Sequence, residues 1–364
     1  MKSSLKVIIA GGGTGGHIFP AIAIANALKE QWPGIEILFV GANGKMEMTK
    51  VPQAGYPIKG LTIAGFNRGS LFKNIGLPWK LLKSFFEVAA IFTQFRPDAV
   101  IGVGGYSSFP VLRYAQLKKI PTFIHESNSF AGRSNIMLGK KATLIFTATD
   151  GMEKFFPANK IVVTGNPVRK RIVEEVPRNA GVLYFGLDVN KVTVLCIGGS
   201  LGAKNINEAI AANLGNFEKH GLQLVWQTGK VFYPEAMKAA KGMKNIMVTE
   251  FITEMEFGYA AGDVVISRSG AMAIAELCVL GKPVIFVPYP FASEDHQTAN
   301  AMKLVNNDAA RMITDKEAAS MLVNEIISLA GNQIERERLS RNITSFGIRD
   351  ADKKIAKRII EIIS

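Results

Sequence analysis

The sequence predicts an α/β protein made of two similar parallel-sheet domains that face a cleft. Three observations predict it. Short apolar runs rich in β-branched residues alternate with helical periodicity along the chain, as buried parallel strands and their crossover helices do. A strand, a glycine turn and a helix open the chain at residues 7–28 and recur at residues 192–210. The length of 364 residues, 48% of them hydrophobic, suits about two domains with ample core.

The first unit sets the pattern. Residues 7–10 (Val-Ile-Ile-Ala) form a buried strand, and Gly11-Gly12-Gly13-Thr14-Gly15-Gly16 turns with almost no side chains. From His17 the period becomes helical through Ile18, Ile22, Ala25 and Leu28, with Pro20 in the helix's first turn. Such a turn aims free backbone N–H groups and a positive helix end at an anion, usually a phosphate. His17 stands at its mouth and is the side-chain type that takes a proton near neutral pH. A tight turn in which His17 only caps the helix is the plainer alternative. Gly11, Gly13 and Gly16 also match a dinucleotide fingerprint, which wants an acid at the end of the second strand. That strand, residues 36–40, runs out into Gly41-Ala42-Asn43-Gly44, which argues against a nicotinamide or flavin enzyme.

Residues 48–86 hold no acid and six bases, interleaved with Leu71, Phe72, Trp79, Leu82, Phe85 and Phe86. Two readings stand: a membrane-surface patch, or an amphipathic helix with its apolar side on the core. Residues 98–103 form a strand leading into a second glycine turn, Gly102-Val103-Gly104-Gly105-Tyr106, which either approaches a phosphate or is simply a tight turn with a buried tyrosine. The strand at 121–124 delivers His125-Glu126-Ser127-Asn128 at its C-terminal end, where α/β sheets keep their sites. After a short strand at 161–163, Thr164-Gly165-Asn166-Pro167 is expected to link the domains.

The second half repeats the plan. Residues 192–197 are a strand, and Gly198-Gly199-Ser200-Leu201-Gly202-Ala203 turns into a helix. It is not a Walker A loop, because Asn205 stands where Ser or Thr would bind magnesium. Further strands are expected at 222–226, 246–249, 263–267 and 283–287. Ser269 or Gly270 starts a helix that carries Glu276 about two turns in. A carboxylate among alanines needs hydrogen-bond partners: either the paired hydroxyls of a ribose, or an ion pair with Arg268 or Lys282. Glu294 to Asn300 run from a loop into a helix and offer amides to sugar hydroxyls or to capping. The tail from about Arg349 is expected to be a basic helix crossing back over the first domain.

The net charge is +13, and residues 1–166 carry 19 Lys and Arg against 8 Asp and Glu. That half should favour an anionic partner. Nucleic acid is a weak candidate, since no reading module is recognisable and the basic half also carries the catalytic-looking turns. Cys196 and Cys278 lie in apolar surroundings, which fits a reducing compartment. There is no signal-peptide pattern and no apolar run of the roughly 18 residues a membrane span needs.

Taken in order, residues 11–17, 102–106, 125–128, 165–169, 198–203, 251–252, 268–276 and 295–300 resemble one family closely. It is the bacterial peptidoglycan glycosyltransferases of family 28, which move N-acetylglucosamine (GlcNAc) from UDP-GlcNAc onto undecaprenyl-pyrophosphoryl-N-acetylmuramoyl-pentapeptide, turning lipid I into lipid II. The resemblance implies a GT-B fold of two Rossmann-like domains with parallel sheets facing an interdomain cleft. It divides the chain into 1–165 for the lipid-linked acceptor, 166–348 for the donor, and a crossing helix at 349–364. It implies inverting transfer with no metal and no cofactor, at the cytoplasmic face of the plasma membrane, with UDP-GlcNAc, lipid I and an anionic membrane surface as partners. The one Asp-x-Asp triplet, Asp350-Ala351-Asp352, reads better as a helix cap than as a metal site.

Carried over by position, the resemblance implies donor contacts at Thr14, Gly15, Gly16, Asn128 and Arg169, with Ser200 at the phosphates and Ile252 against the uracil. Ala271, Met272, Ala273, Ile274, Ala275 and Glu276 form the helix start beneath the nucleotide, Glu276 taking the ribose hydroxyls. Gln297, with Asn300 nearby, holds the sugar. His17 is the first choice for the base on the acceptor C4 hydroxyl; Glu126 is the second, or orients that histidine. Gly104, Gly105 and Tyr106 face the acceptor pyrophosphate. A sugar-nucleotide transferase of the same fold with a different acceptor is the alternative.

Overall fold

The computed structural model describes residues 5–65, 76–199, 202–292 and 295–364. The chain packs as two units, Met1–Arg169 with Asp350–Ser364, and Lys170–Arg349.

The first unit holds β1 (Lys6–Ala10), β2 (Glu36–Ala42), β3 (Ile58–Leu61), β4 (Ala99–Gly102), β5 (Thr122–Glu126), β6 (Leu144–Thr147) and β7 (Ile161–Val163). They form one parallel sheet in the order β3-β2-β1-β4-β5-β6-β7. The order reverses between β1 and β4, the switch point where open α/β sheets bind ligands beyond their strand ends. Ala10 pairs with Gly102, so both glycine turns leave the sheet side by side. Alternate strand residues feed two cores. Val7, Ile9 and Ile101 pack under the helices Gly15–Gln31 and Ala351–Ile363, while Ile8 and Val100 pack under Leu77–Phe95 and Ser108–Leu117.

The second unit repeats the design with β8 (Thr193–Ile197), β9 (Gln223–Gln227), β10 (Ile246–Thr249), β11 (Val264–Ser267), β12 (Val284–Phe286) and β13 (Arg311–Met312). The parallel order is β10-β9-β8-β11-β12-β13. Ile197 and Ser267 are partners at its switch point, so the Gly198 loop and the Arg268 segment emerge together.

Three strands escape the sequence reading: β3, β6 and β13. β3 (Ile-Lys-Gly-Leu) lacks an apolar run, β6 is four residues, and β13 is two. The first helix starts at Gly15, two residues before His17, so Pro20 lies within it rather than in its first turn. Residues 164–167 are no free linker. The Thr164 and Gly165 amides donate to Thr147 O at 3.0 and 3.2 Å, and Asn166 Nδ2 donates to Ser127 O at 3.1 Å. This buried strap ties the ends of β5 and β6 together.

Candidate functional site

In the first unit the two glycine turns pack backbone to backbone. Gly12 N donates to Gly104 O at 3.3 Å. Gly104 and Gly105 take φ of +98° and +84°, a region that favours glycine. Side chains would not fit there in any case: a Cβ on Gly105 would lie 2.5 Å from Gly12 O, and one on Gly104 would lie 2.8 Å from His17 Nε2. His17 is half-buried in the first turn of its helix. Its Nδ1 lies 3.0 Å from Gly12 O and 3.4 Å from Thr14 Oγ1. A carbonyl only accepts, so Nδ1 carries the hydrogen and Nε2 keeps the lone pair.

The amides of the first turn are not free for an anion. Those of Gly11 and Gly12 are spent on Val40 O and Gly104 O, and Gly13 N donates to Glu47 Oε2 at 2.8 Å. The amides that helix geometry leaves for a ligand are those opening the helix, at Gly15 and Gly16. Glu47, five residues past β2, is 1% exposed and lies beneath the turn. Sequence reading missed it; its one signal was being the sole acid between Glu36 and Glu87. Tyr106 packs against Gly65, and burial, reinforced by Glu47, raises its hydroxyl above the usual tyrosine value.

Glu126 sits in a different environment from that expected of a base. It is 4% exposed. Its oxygens accept from Asn128 N at 3.1 Å, Gly132 N at 3.0 Å and Asn135 Nδ2 at 2.8 Å. Those bonds turn the carboxylate onto its own loop, and His17 Nδ1 bonds to Gly12 and Thr14. The structure therefore makes Glu126 the organiser of the Asn128 loop. His125 beside it is fully buried, and desolvation, with a smaller push from His17, lowers it to about 4 against the Gly165 backbone. Arg169 stacks over Phe19, its guanidinium carbon 4.8 Å from the ring centroid, which brings it to the Gly15–Gln31 helix.

In the second unit Gln227 ties two loops together, as Glu47 ties strand to turn in the first. Its Nε2 donates to Gly199 O at 3.2 Å and its Oε1 accepts the Ile252 amide at 3.0 Å. Ile252 is buried and its N–H is taken, so that amide is not the one that reads a base edge. The helix Ala271–Leu280 starts after Gly270, leaving Ala271, Met272, Ala273, Ile274 and Ala275 partly exposed and Glu276 buried. Tyr259 OH donates to Glu276 Oε2 at 2.9 Å. Arg268 pairs with Asp315 at 2.6 Å, and Lys282 donates to Gly262 O. Gln297 Oε1 accepts the Tyr289 amide at 2.9 Å, its carbonyl accepts Ser269 Oγ, and Asn300 reaches Ser269 O at 3.4 Å, so Gln297 and Asn300 are braced against the Arg268 segment. The Ser200 assignment lies outside the described residues. Asp350 pairs with Lys354 at 2.9 Å at the start of the tail helix.

Against known proteins, the model of the glycosyltransferase family 28 N-terminal domain matches residues 7–147, and that of the C-terminal domain matches residues 193–359. The chain belongs to glycosyltransferase family 28. It is 49% identical to the UDP-N-acetylglucosamine--N-acetylmuramyl-(pentapeptide) pyrophosphoryl-undecaprenol N-acetylglucosamine transferase of Bacteroides fragilis, covering 99% of this chain and 96% of that one. It is 48% identical to the protein of the same name from Cytophaga hutchinsonii, with 99% and 97% covered. The crystal structure of Acinetobacter baumannii MurG matches with a TM-score of 0.77 at 29% identity, covering 98% of this chain and 99% of that one. The S. aureus MnaA-UDP structure shares the fold alone, at 17% identity and a TM-score of 0.70 over 99% and 97% of the two chains. Both family 28 domain models take in a switch point described above, β1 with β4 in one and β8 with β11 in the other.

Proposed function

We propose that this chain transfers GlcNAc from UDP-GlcNAc to the C4 hydroxyl of N-acetylmuramic acid in undecaprenyl-pyrophosphoryl-N-acetylmuramoyl-pentapeptide, with inversion. One observation carries the reading: near-half identity over almost the whole chain with relatives named as UDP-N-acetylglucosamine--N-acetylmuramyl-(pentapeptide) pyrophosphoryl-undecaprenol N-acetylglucosamine transferases. The arrangement around His17 supplies the chemistry. With Nδ1–H committed to Gly12 O, Nε2 takes the proton of the acceptor hydroxyl as its oxygen attacks the anomeric carbon opposite UDP. The carbon–oxygen bond to UDP breaks, and the α-linked donor becomes a β-linked product. Charge grows on the departing β-phosphate, and fixed N–H dipoles with Arg169 and Ser200 stabilise it by on the order of several kcal/mol. No divalent ion is assigned to this role.

The second unit holds the nucleotide, Ile252 lying along the uracil and Ala271 to Glu276 beneath the ribose, while Gln297 and Asn300 hold the sugar. Thr14, Gly15, Gly16 and Asn128 are assigned to the donor, and Gly104, Gly105 and Tyr106 to the acceptor pyrophosphate. The enzyme works as a peripheral protein on the cytoplasmic leaflet. Among the described residues no helix is long and apolar enough to cross a membrane, and Trp79, Leu82 and Phe86 stand exposed on the Leu77–Phe95 helix, which favours surface docking.

The test is transfer of labelled GlcNAc from its UDP donor to a lipid I analogue with EDTA present. Activity should survive EDTA, and His17→Ala should lower kcat at least about a hundredfold. Loss with EDTA would refute the metal-free step, and an unimpaired mutant would remove His17 as the base.

A further inference from the structure

We propose that Glu47 is a positioning residue for His17, acting through the single peptide unit that joins Gly12 to Gly13. The inference rests on the reading of His17 as the base. A trans peptide points its C=O and N–H in opposite directions, and no cis bond is present among the described residues. Glu47 Oε2 accepts the Gly13 N–H at 2.8 Å, and Gly12 O, on the opposite edge of that peptide, meets His17 Nδ1 at 3.0 Å. Holding one edge therefore aims the other.

The anchor is itself fixed. Glu47 Oε1 accepts the Ala42 N–H at 3.0 Å at the end of β2, so the carboxylate bridges the sheet and the turn. The fit is tight: a Cβ on Gly12 or Gly41 would run into the Glu47 side chain. Two glycines in a row, with φ of +150° and +88°, leave the peptide between them little stiffness of its own. An external clamp is what stops it rotating. A buried carboxylate held by two amides and, among the described residues, no cation is costly to keep, which suits a group needed for its charge and reach. The negative charge at one end of the peptide polarises it and strengthens the Gly12 carbonyl as the acceptor for Nδ1–H. That holds the lone pair on Nε2, the atom that must take the proton.

The discriminating variant is Glu47→Gln. Its amide has one acceptor oxygen for two N–H donors, so either Ala42 or Gly13 loses its partner. The experiment records imidazole nitrogen–proton NMR correlations of the histidine-labelled full chain beside steady-state kinetics. The wild type should show His17 as a single Nδ1–H tautomer. Glu47→Gln should show a mixture, with kcat down about 10- to 100-fold and the KM for UDP-GlcNAc within about twofold. Should that variant fail to fold by circular dichroism, Glu47→Asp carries the same readouts with a smaller loss. A folded variant with His17 still a single Nδ1–H tautomer would overturn the proposal, whatever its kcat. Tautomer mixing in Glu47→Gln, with wild-type kcat in His17→Gln, would uphold the link and remove His17 as the base.

Discussion

His125 shows how one buried side chain writes a pH dependence into the fold. It is neutral in the folded chain, with a pKa lowered from 6.5 to about 4 by burial. The unfolded chain binds a proton there below about pH 6.5, whereas the folded chain does so only below about 4. Its contribution to stability is complete above about 6.5 and is lost as pH falls through that window, by on the order of 3 kcal/mol. Unfolding midpoints measured from pH 7 to 4 should fall accordingly, and His125→Gln, though less stable at pH 7, should show a flatter decline. Equal slopes would assign the acid sensitivity to other groups. The polar stretch 125–128 was legible because polar residues at a strand end stand out. That the His125 imidazole is sealed beneath the 164–167 strap was not, because nothing local says what will cover it.

Of the 48–86 stretch, residues 66–75 lie outside the described residues; the helix Leu77–Phe95 shows the core-facing side of the amphipathic alternative, and its outward side keeps the membrane-surface reading as a proposal. Toward its C-terminus Val88 and Phe92 are buried in the core. Toward its N-terminus Trp79, Leu82 and Phe86 stand 74%, 49% and 70% exposed, on one ridge by their spacing of three, four and seven. Lys80 and Lys83 flank them, each worth about 1 kcal/mol against an anionic surface. Sedimentation with phosphatidylglycerol vesicles should therefore capture the protein, less so at high salt. Trp79→Ser with Phe86→Ser should weaken capture at least about tenfold while leaving transfer to a soluble acceptor analogue intact. Unchanged capture would move the docking surface elsewhere. The basic and aromatic composition was readable from the sequence; which residues point outward depends on where the helix lies on the sheet.

Across the whole molecule, the tail is the segment whose role is least local. Ile355, Ala356 and Ile359 of the helix Ala351–Ile363 complete the core beneath Val7, Ile9 and Ile24, so the last residues of the chain finish its first unit. Each buried isoleucine contributes about 1.5–3 kcal/mol. Deleting residues 350–364 should speed hydrogen exchange in β1, β2 and the Gly15–Gln31 helix by at least about a hundredfold, with β8 and β11 unaffected. Unchanged protection in the first unit would show that the helix is dispensable.

Fold class and family were written in local signals. Strand runs, glycine turns and helical spacing each span fewer than about twenty residues, and their order along the chain is specific. The spending of the turn amides was decided elsewhere: by Glu47 arriving from beyond β2, by Gly104 arriving from beyond β4, and by Gln227 linking two loops of the second unit. Those partners lie tens of residues away in sequence. Hydrogen-bond donors are claimed by whatever the parallel sheet brings alongside, and strand order is set by packing of the whole unit, so no local pattern records who meets whom.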